Sequence, residues 1–297
     1  MTCLTLSSFQ KSLSLRHNQR KQIESAITWA VTSQNHHWLL HSARQAFLSR
    51  TDGEWLVLEA FRPAVEIVPP AYAQDWMNML FTRLQNPHHF SGGRECHRLT
   101  WLFLDRLAER HPEIWGTFRH TLYQLLSSET DPLVFRAIGM RCHQFPADHA
   151  LWAKQLVLRT DIQGEPDEQI RAVAWQVLTM LGGEIHPTSV VAEKLHSALT
   201  LPGERSPLVI SAVMNYLVTS SPRLFFDFWN CVRRRLDPLC EPDWQIRQTV
   251  WESLENQNGS LRYHPQMAAQ DIIDMRRETH PLVLRQLAVY GQQRRIW

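Results

Sequence analysis

Histidine and cysteine are the side chains of this sequence with the most chemistry to offer, because they bind metals and act as bases or nucleophiles. The chain has 15 histidines among its 297 residues. The spacing closest to a metal site is that of His37 and His41, which would lie one turn apart on a predicted helix. His88, His89 and His97 form a looser group. Neither group has the H-E-x-x-H pattern of a helical zinc site, so the sequence predicts no metal and no cofactor.

The cysteines do not indicate a catalytic centre. They are odd in number and scattered, and no pair is spaced as C-x-x-C, at Cys3, Cys96, Cys142, Cys231 and Cys240. That pattern favours reduced thiols in a cytoplasmic protein. Cys142 and His143 are adjacent in sequence, which does not define a catalytic dyad, and the G-x-S-x-G and phosphate-binding glycine motifs are absent. We therefore predict no catalytic residues.

Charge and hydropathy narrow the class of partner. The formal net charge is +2, which gives no general attraction to nucleic acid or to an acidic membrane. No stretch approaches the ~18 apolar residues of a membrane span, and the first residues are polar. The basic residues are mostly arginine: 31 basic residues minus four lysines leaves 27 arginines. Arginine suits bidentate, partly buried contacts better than lysine does.

The apolar residues of the sequence recur mostly with the spacing of an α-helix, so helices must position the residues discussed above. Predicted amphipathic helices follow one another in pairs, and prolines recur at their starts, as at Pro132, Pro207 and Pro281. Acidic residues or serine stand in the same turns, where they favour the positive end of the helix dipole. The residues that mark helix starts therefore recur periodically along the chain, which predicts an all-α chain of repeated helix pairs.

Five helix starts can be superposed on an apolar anchor residue. The anchors are Phe135, Ile170, Ile210, Ile246 and Leu284, at spacings of 35, 40, 36 and 38 residues. Arginine follows the anchor in four of the five units, with Ser211 in the third. An apolar anchor and the residue four positions later share one helix face, and the arginine at its edge can reach an acidic residue in its own or a neighbouring turn.

This pattern resembles the HEAT family of helical repeats, whose second helices open with an aspartate followed by Val-Arg and Ala. The resemblance covers about residues 130 to 295. It implies a right-handed α-solenoid of about seven or eight helix pairs, with degenerate repeats at the N-terminal end. We predict a division into residues 1–90, either degenerate repeats or a separate helical cap, and residues 91–297, the repeat array.

The resemblance also implies a binding surface, if the second helices line the concave side. The sixth residue after each anchor would then form a row of mixed chemistry: Arg141, Gln176, Tyr216, Glu252 and Tyr290. Arginine and tyrosine are common in protein interfaces, so we predict a non-enzymatic scaffold or adaptor that binds another protein. The same residues could equally be ordinary solvated helix positions.

A nucleic-acid-binding protein is the alternative function. Alkylpurine DNA glycosylases of a HEAT-like fold grip DNA with tryptophans, an aspartate and arginines, and this chain contains such residues: Trp175, Trp251, Asp227 and the basic patch Arg233, Arg234 and Arg235. The tryptophans are also typical of core packing. The basic patch is equally explained by the negative end of a helix dipole. The small net charge favours the protein-binding scaffold over this alternative.

Overall fold

A computed structural model describes residues 20–48, 55–86, 93–182, 189–255, 263–274 and 276–294. The described residues are all-helical and contain no strand. Within these ranges no helix is both long enough and apolar enough to cross a membrane. The contacts divide the chain into two compact units, residues 1–125 and 126–297. The boundary at residue 90 stays a prediction.

The first unit contains short and long helices that pack around an apolar centre. Its helices are α1 Arg20–Thr32, α2 His36–Phe47, α3 Trp55–Glu59, α4 Arg62–Val65, α5 Pro70–Gln85, α6 Gly93–Arg110 and α7 Pro112–Trp115, followed by a 3-10 turn Gly116–Phe118 and by α8 Arg119–Ser128, within which the unit boundary falls. α6 packs against α3, α4, α5 and α7, and α2 packs against α1, α3 and α5. Phe47 lies within 6.0 Å of both Phe61 and Phe103, measured between ring centroids.

The second unit is a series of helix pairs. Its helices are α9 Pro132–Cys142, α10 His149–Leu158, α11 Glu168–Leu181, α12 Ser189–Leu199, α13 Pro207–Ser220, α14 Pro222–Leu236, α15 Trp244–Glu255, α16 Tyr263–Asp274 and α17 Pro281–Arg294. The second helices of the pairs pack in order, α9 on α11, α11 on α13, α13 on α15 and α15 on α17. The first helices α10, α12, α14 and α16 pack in the same order. The predicted recurrence of helix pairs is therefore present in this unit.

The residue immediately before each second helix fixes the register of the pairs. These residues, here called the N-cap residues, are Asp131, Asp167, Ser206, Asp243 and His280. The Asp131 carboxylate accepts from the main-chain N–H groups of Leu133 and Val134, and the other aspartates and Ser206 cap their helices in the same way. Capping satisfies N–H groups that have no partner inside the helix. Pro132, Pro207 and Pro281 directly follow the N-cap residue, as predicted, whereas Pro166 and Pro242 precede it.

Alignment on the N-cap residues corrects the predicted anchors in three of the five units. The third residue after each N-cap residue is at most 2 % exposed in every unit: Val134, Ile170, Val209, Ile246 and Val283. The predicted anchors Phe135, Ile210 and Leu284 lie one residue later; Phe135 and Ile210 have no exposed surface, as predicted of an anchor, whereas Leu284 is 43 % exposed. One residue turns a helix by about 100°, so this shift changes which side chains face the core.

Candidate binding surface

Buried ionised groups are concentrated in the turns before the second helices. A glutamate stands two residues before every N-cap residue, and we call this set the turn glutamates: Glu129, Glu165, Glu204, Glu241 and Glu278. Each is buried, and its Oε1 accepts one or two main-chain N–H groups of its own turn, as Glu204 does from Arg205 and Ser206 at 2.9 Å. A buried carboxylate needs such partners, because an unpaired one is costly.

Four buried arginines, here called the bridging arginines, meet the turn glutamates. Arg171 donates from Nε and Nη2 to the two oxygens of Glu204 at 2.9 and 3.1 Å, and from Nη1 to the carbonyl oxygens of Glu165 and Pro166. Arg247 repeats this arrangement with Glu278, Glu241 and Pro242. The prediction that arginine after the anchor reaches an acidic residue of a turn is confirmed at these two positions.

The other two bridging arginines reach their glutamates from the opposite side. Arg159 and Arg235 stand eight residues before the N-cap residue, at the end of a first helix. Arg159 donates to Glu165, and to the carbonyl oxygens of Leu126 and Glu129 in the preceding turn. Arg235 lies 2.5 Å from Glu241, with neither side chain exposed, and donates to the carbonyl oxygens of Ala198 and Leu199.

The two kinds of bridging arginine alternate along the unit. The fourth residue after the N-cap residue is in turn Phe135, Arg171, Ile210, Arg247 and Leu284. After a unit with arginine at this position, the residue eight before the next N-cap residue is apolar, namely Ala198 or Ile272. After a unit with an apolar residue at this position, the residue eight before the next N-cap residue is an arginine, namely Arg159 or Arg235. Each interface between successive pairs from α9 to α17 therefore has one bridging arginine, supplied from one side or the other. Neutralised and hydrogen-bonded, these charges hold helices together and are not accessible to a ligand.

Among the residues that the structure describes, the histidine and cysteine candidates do not come together in one group. No group of three His, Cys, Asp or Glu residues able to hold a metal occurs in the described parts of the chain. His88 and His89 fall outside the described residues. Burial raises the pKa of the Cys142 thiol far above its ordinary value, which keeps it protonated, and its neighbour His143 is exposed.

Because of the one-residue shift in register, the predicted row of binding residues contains both surface and core residues. Gln176 and Arg141 are half-buried and Glu252 is exposed, but Tyr216 and Tyr290 are at most 4 % exposed. Each tyrosine packs its ring 5.3 Å from a tryptophan of the preceding second helix, Trp175 and Trp251 respectively. Tyr216 and Tyr290 therefore belong to the core, which corrects their predicted place on the surface.

Counting from the N-cap residue gives the row that does face outward. The ninth residues form what we call the outer row: Met140, Gln176, Asn215, Glu252 and Val289. The second and fifth residues after each N-cap residue lie on the same side of the helix as the outer row and widen this surface. The second residues are Leu133, Gln169, Leu208, Gln245 and Leu282, and the fifth residues are Arg136, Ala172, Ser211, Gln248 and Arg285. Ala172 is buried, and of the other 14 residues only Arg136, Glu252 and Arg285 are charged. The surface is dominated by amide, hydroxyl and apolar side chains.

The basic patch is also divided by the structure. Arg233 is exposed and pairs with Asp271 at 2.8 Å, Arg234 is exposed, and Arg235 is fully buried on Glu241. The three arginines follow one another on a helix, so their side chains point in different directions. They do not form one basic surface, which corrects the predicted patch.

The residues that suggested a DNA-binding site are likewise separated. Trp175 and Trp251 have no exposed surface, whereas Asp227 is exposed. Buried indole rings cannot stack on a base, so these residues do not present the set of contacts that the comparison with DNA glycosylases implied.

Comparison with known proteins leaves the family open. No model of a known protein family matches the chain, and no curated protein matches it in sequence. The geometry of the second unit is therefore the basis for the function proposed below.

Proposed function

We propose that residues 126–297 form a HEAT-like α-solenoid, and that the outward side of its second helices binds a segment of another protein. The observation that carries the proposal is the chemistry of that side: 11 of the 14 solvent-accessible residues at the second, fifth and ninth positions are uncharged. The serial packing of α9, α11, α13, α15 and α17 supports a continuous surface.

Uncharged polar side chains favour a polypeptide over a polyanion. Exposed amides such as Gln169, Asn215 and Gln245 each offer a donor and an acceptor, as a peptide main chain does. Interspersed apolar side chains such as Met140 and Leu208 add area that association can bury. A nucleic-acid surface would instead need a row of lysine or arginine to neutralise phosphates.

The bridging arginines weaken the original reason for the nucleic-acid alternative. Four of the arginines that make up the excess are buried on turn glutamates, so a structural role accounts for them. That alternative therefore has no specific observation in its favour, and we make it an outcome of the test.

A peptide-display selection against the full chain tests the proposal. Peptides that bind are measured by fluorescence anisotropy with the wild type and with a variant carrying Asn215→Arg and Glu252→Arg, both at exposed outer-row positions. We expect the paired substitution to weaken binding at least tenfold, about 1.4 kcal/mol, because it places two charges on the surface. The matched control is Ser197→Arg, an exposed position on the first helix α12, which should leave affinity unchanged.

Two results would contradict the proposal. One is peptide affinity that is the same in the outer-row variant and the wild type while circular dichroism shows both folded. The other is tight binding of labelled duplex DNA at physiological salt, with the expected steep loss of affinity as salt rises.

A further inference from the structure

The last second helix, α17, has a face that every earlier second helix buries. In the earlier pairs the fourth and eighth residues after the N-cap residue face the next pair. At the fourth position Arg171 binds Glu204, and Arg247 binds Glu278. At the eighth position Trp175 packs on Tyr216. The equivalent residues of α17 are Leu284 and Ala288, which we call the end face.

Burial distinguishes the end face from its counterparts. Phe135 and Ile210, the apolar residues at the fourth position of α9 and α13, have no exposed surface, whereas Leu284 is 43 % exposed. Ala288 is exposed as well, whereas Gly139 and Met214 are buried. Within the unit the next helix pair covers the apolar residues at these positions, so the end face is of the kind that a helix pair covers.

The internal interfaces define what such a helix pair must carry. Over Phe135, the incoming pair places the guanidinium of Arg159, 5.1 Å from the ring centroid, and Glu165 follows six residues later. After Ile210 the incoming pair supplies Arg235 and Glu241 at the same spacing. Leu284 is the third apolar residue at the fourth position after an N-cap residue. From the alternation of the bridging arginines, we expect the incoming helix to supply an arginine there.

The same comparison gives the contact at the eighth position. A Cβ at position 139 would overlap Cγ2 of Val177, so the incoming second helix approaches Gly139 closely. Val177, Tyr216 and Tyr290 all stand ten residues after their N-cap residue. The small Ala288 therefore leaves room for the tenth residue of an incoming second helix.

We propose that the end face docks a helix pair of another protein, one whose first helix ends in arginine and is followed six residues later by glutamate and a second helix. Among the residues that the structure describes, the two pairs of this kind are α10–α11 and α14–α15, and both are already packed inside the second unit. This docking uses a different surface from the outer row and does not depend on the proposed function.

Disulfide tethering on the full chain tests the proposal. The probe is a synthetic peptide that copies residues 149–181, a segment without cysteine that includes Arg159 and Glu165, with Val177→Cys added. It is equilibrated in a glutathione buffer with the full chain carrying Ala288→Cys, and the mixed disulfide is quantified by mass spectrometry. The matched control is Arg285→Cys, three residues earlier on an exposed side of α17. We expect at least a tenfold higher tethering constant at position 288, reduced severalfold when the probe carries Arg159→Met.

Other outcomes would overturn the proposal. Equal tethering at positions 288 and 285, or tethering indifferent to the arginine of the probe, would show that the end face does not select this helix pair. Preferential formation of a disulfide-linked dimer of the Ala288→Cys chain, even with excess probe, would identify a second copy of the chain as the occupant and would contradict the stated partner.

Discussion

The two units use different kinds of buried side chain to hold their helices together. In the first unit buried aromatic rings pack on one another, with Phe47 5.8 Å from Phe103 and Phe81 stacked 4.6 Å from Phe118. In the second unit a glutamate and an arginine meet at each interface between successive pairs. Apolar contacts tolerate many arrangements, whereas a hydrogen-bonded ion pair accepts few. We infer that the turns of the second unit specify which helix pairs meet and in which register.

The largest expected effect is that of breaking a bridge. Arg235→Met keeps much of the side-chain volume but leaves the buried Glu241 and the carbonyl oxygens of Ala198 and Leu199 without their donor. We expect a loss of about 3–5 kcal/mol in the free energy of unfolding, measured by urea denaturation. Arg234→Ala, at the exposed neighbouring position, is the control and should change stability by less than about 0.5 kcal/mol. Similar losses in both variants would contradict a specific role for Arg235.

A close helix approach gives the next largest effect. In Gly139→Ala the new methyl group meets the side chain of Val177, which must move. We expect a loss of about 1–3 kcal/mol from overpacking, measured in the same way. Val177→Ala in the Gly139→Ala background should recover part of the loss by making room. If the second substitution only adds its own cost, the contact is not what limits residue 139.

The first unit should respond more mildly to a change of shape. Phe103→Leu retains an apolar side chain at a position that is 1 % exposed, and we expect a loss of at most about 1.5 kcal/mol. The contrast with Arg235→Met is the point of the measurement, since both changes replace a buried side chain by a flexible or smaller apolar one. A loss at Phe103 as large as that at Arg235 would remove the distinction between the units.

The smallest effect is a dependence on pH. Burial raises the pKa of the Glu278 carboxyl, but hydrogen bonds from Arg247 and the main chain outweigh it, so the pKa lies below the ordinary value. The stabilisation is therefore complete above the pKa of the unfolded chain, about 4.3, and is lost as the pH falls through the folded value. Glu278→Gln removes the carboxylate partner of the buried Arg247 but keeps one oxygen as an acceptor, so we expect a loss of about 1–3 kcal/mol at pH 7, with the difference from wild type shrinking in acid. A difference that grows below pH 4 would contradict the sign.

The sequence predicts where the helices begin better than it predicts which helix faces are buried. Prolines and capping residues such as Asp131 and Ser206 locate the helix starts because their effects are local. An alignment on the arginines displaces the anchors by one residue in three units, because Arg136 and Arg285 are exposed and are not equivalent to the buried Arg171 and Arg247.

The turn glutamates were the signal that could have set the register. Glu129, Glu165, Glu204, Glu241 and Glu278 stand at a constant distance from the N-cap residues. The alternating source of the bridging arginine is harder to predict, because it depends on contacts between residues more than 30 positions apart, such as Arg171 and Glu204. The burial of Tyr216 against Trp175 follows from the same packing.

Relocation of one arginine tests the central claim most directly. Arg235→Ala copies Ala198 at the position eight before an N-cap residue, and Ile210→Arg copies Arg171 at the position four after one. Each single change should destabilise strongly, the first by leaving Glu241 unpaired and the second by burying an extra charge. If one guanidinium per interface is what matters, the double variant should recover at least half of the stability lost in Arg235→Ala, measured by urea denaturation. A double variant no more stable than the worse single variant would contradict the claim.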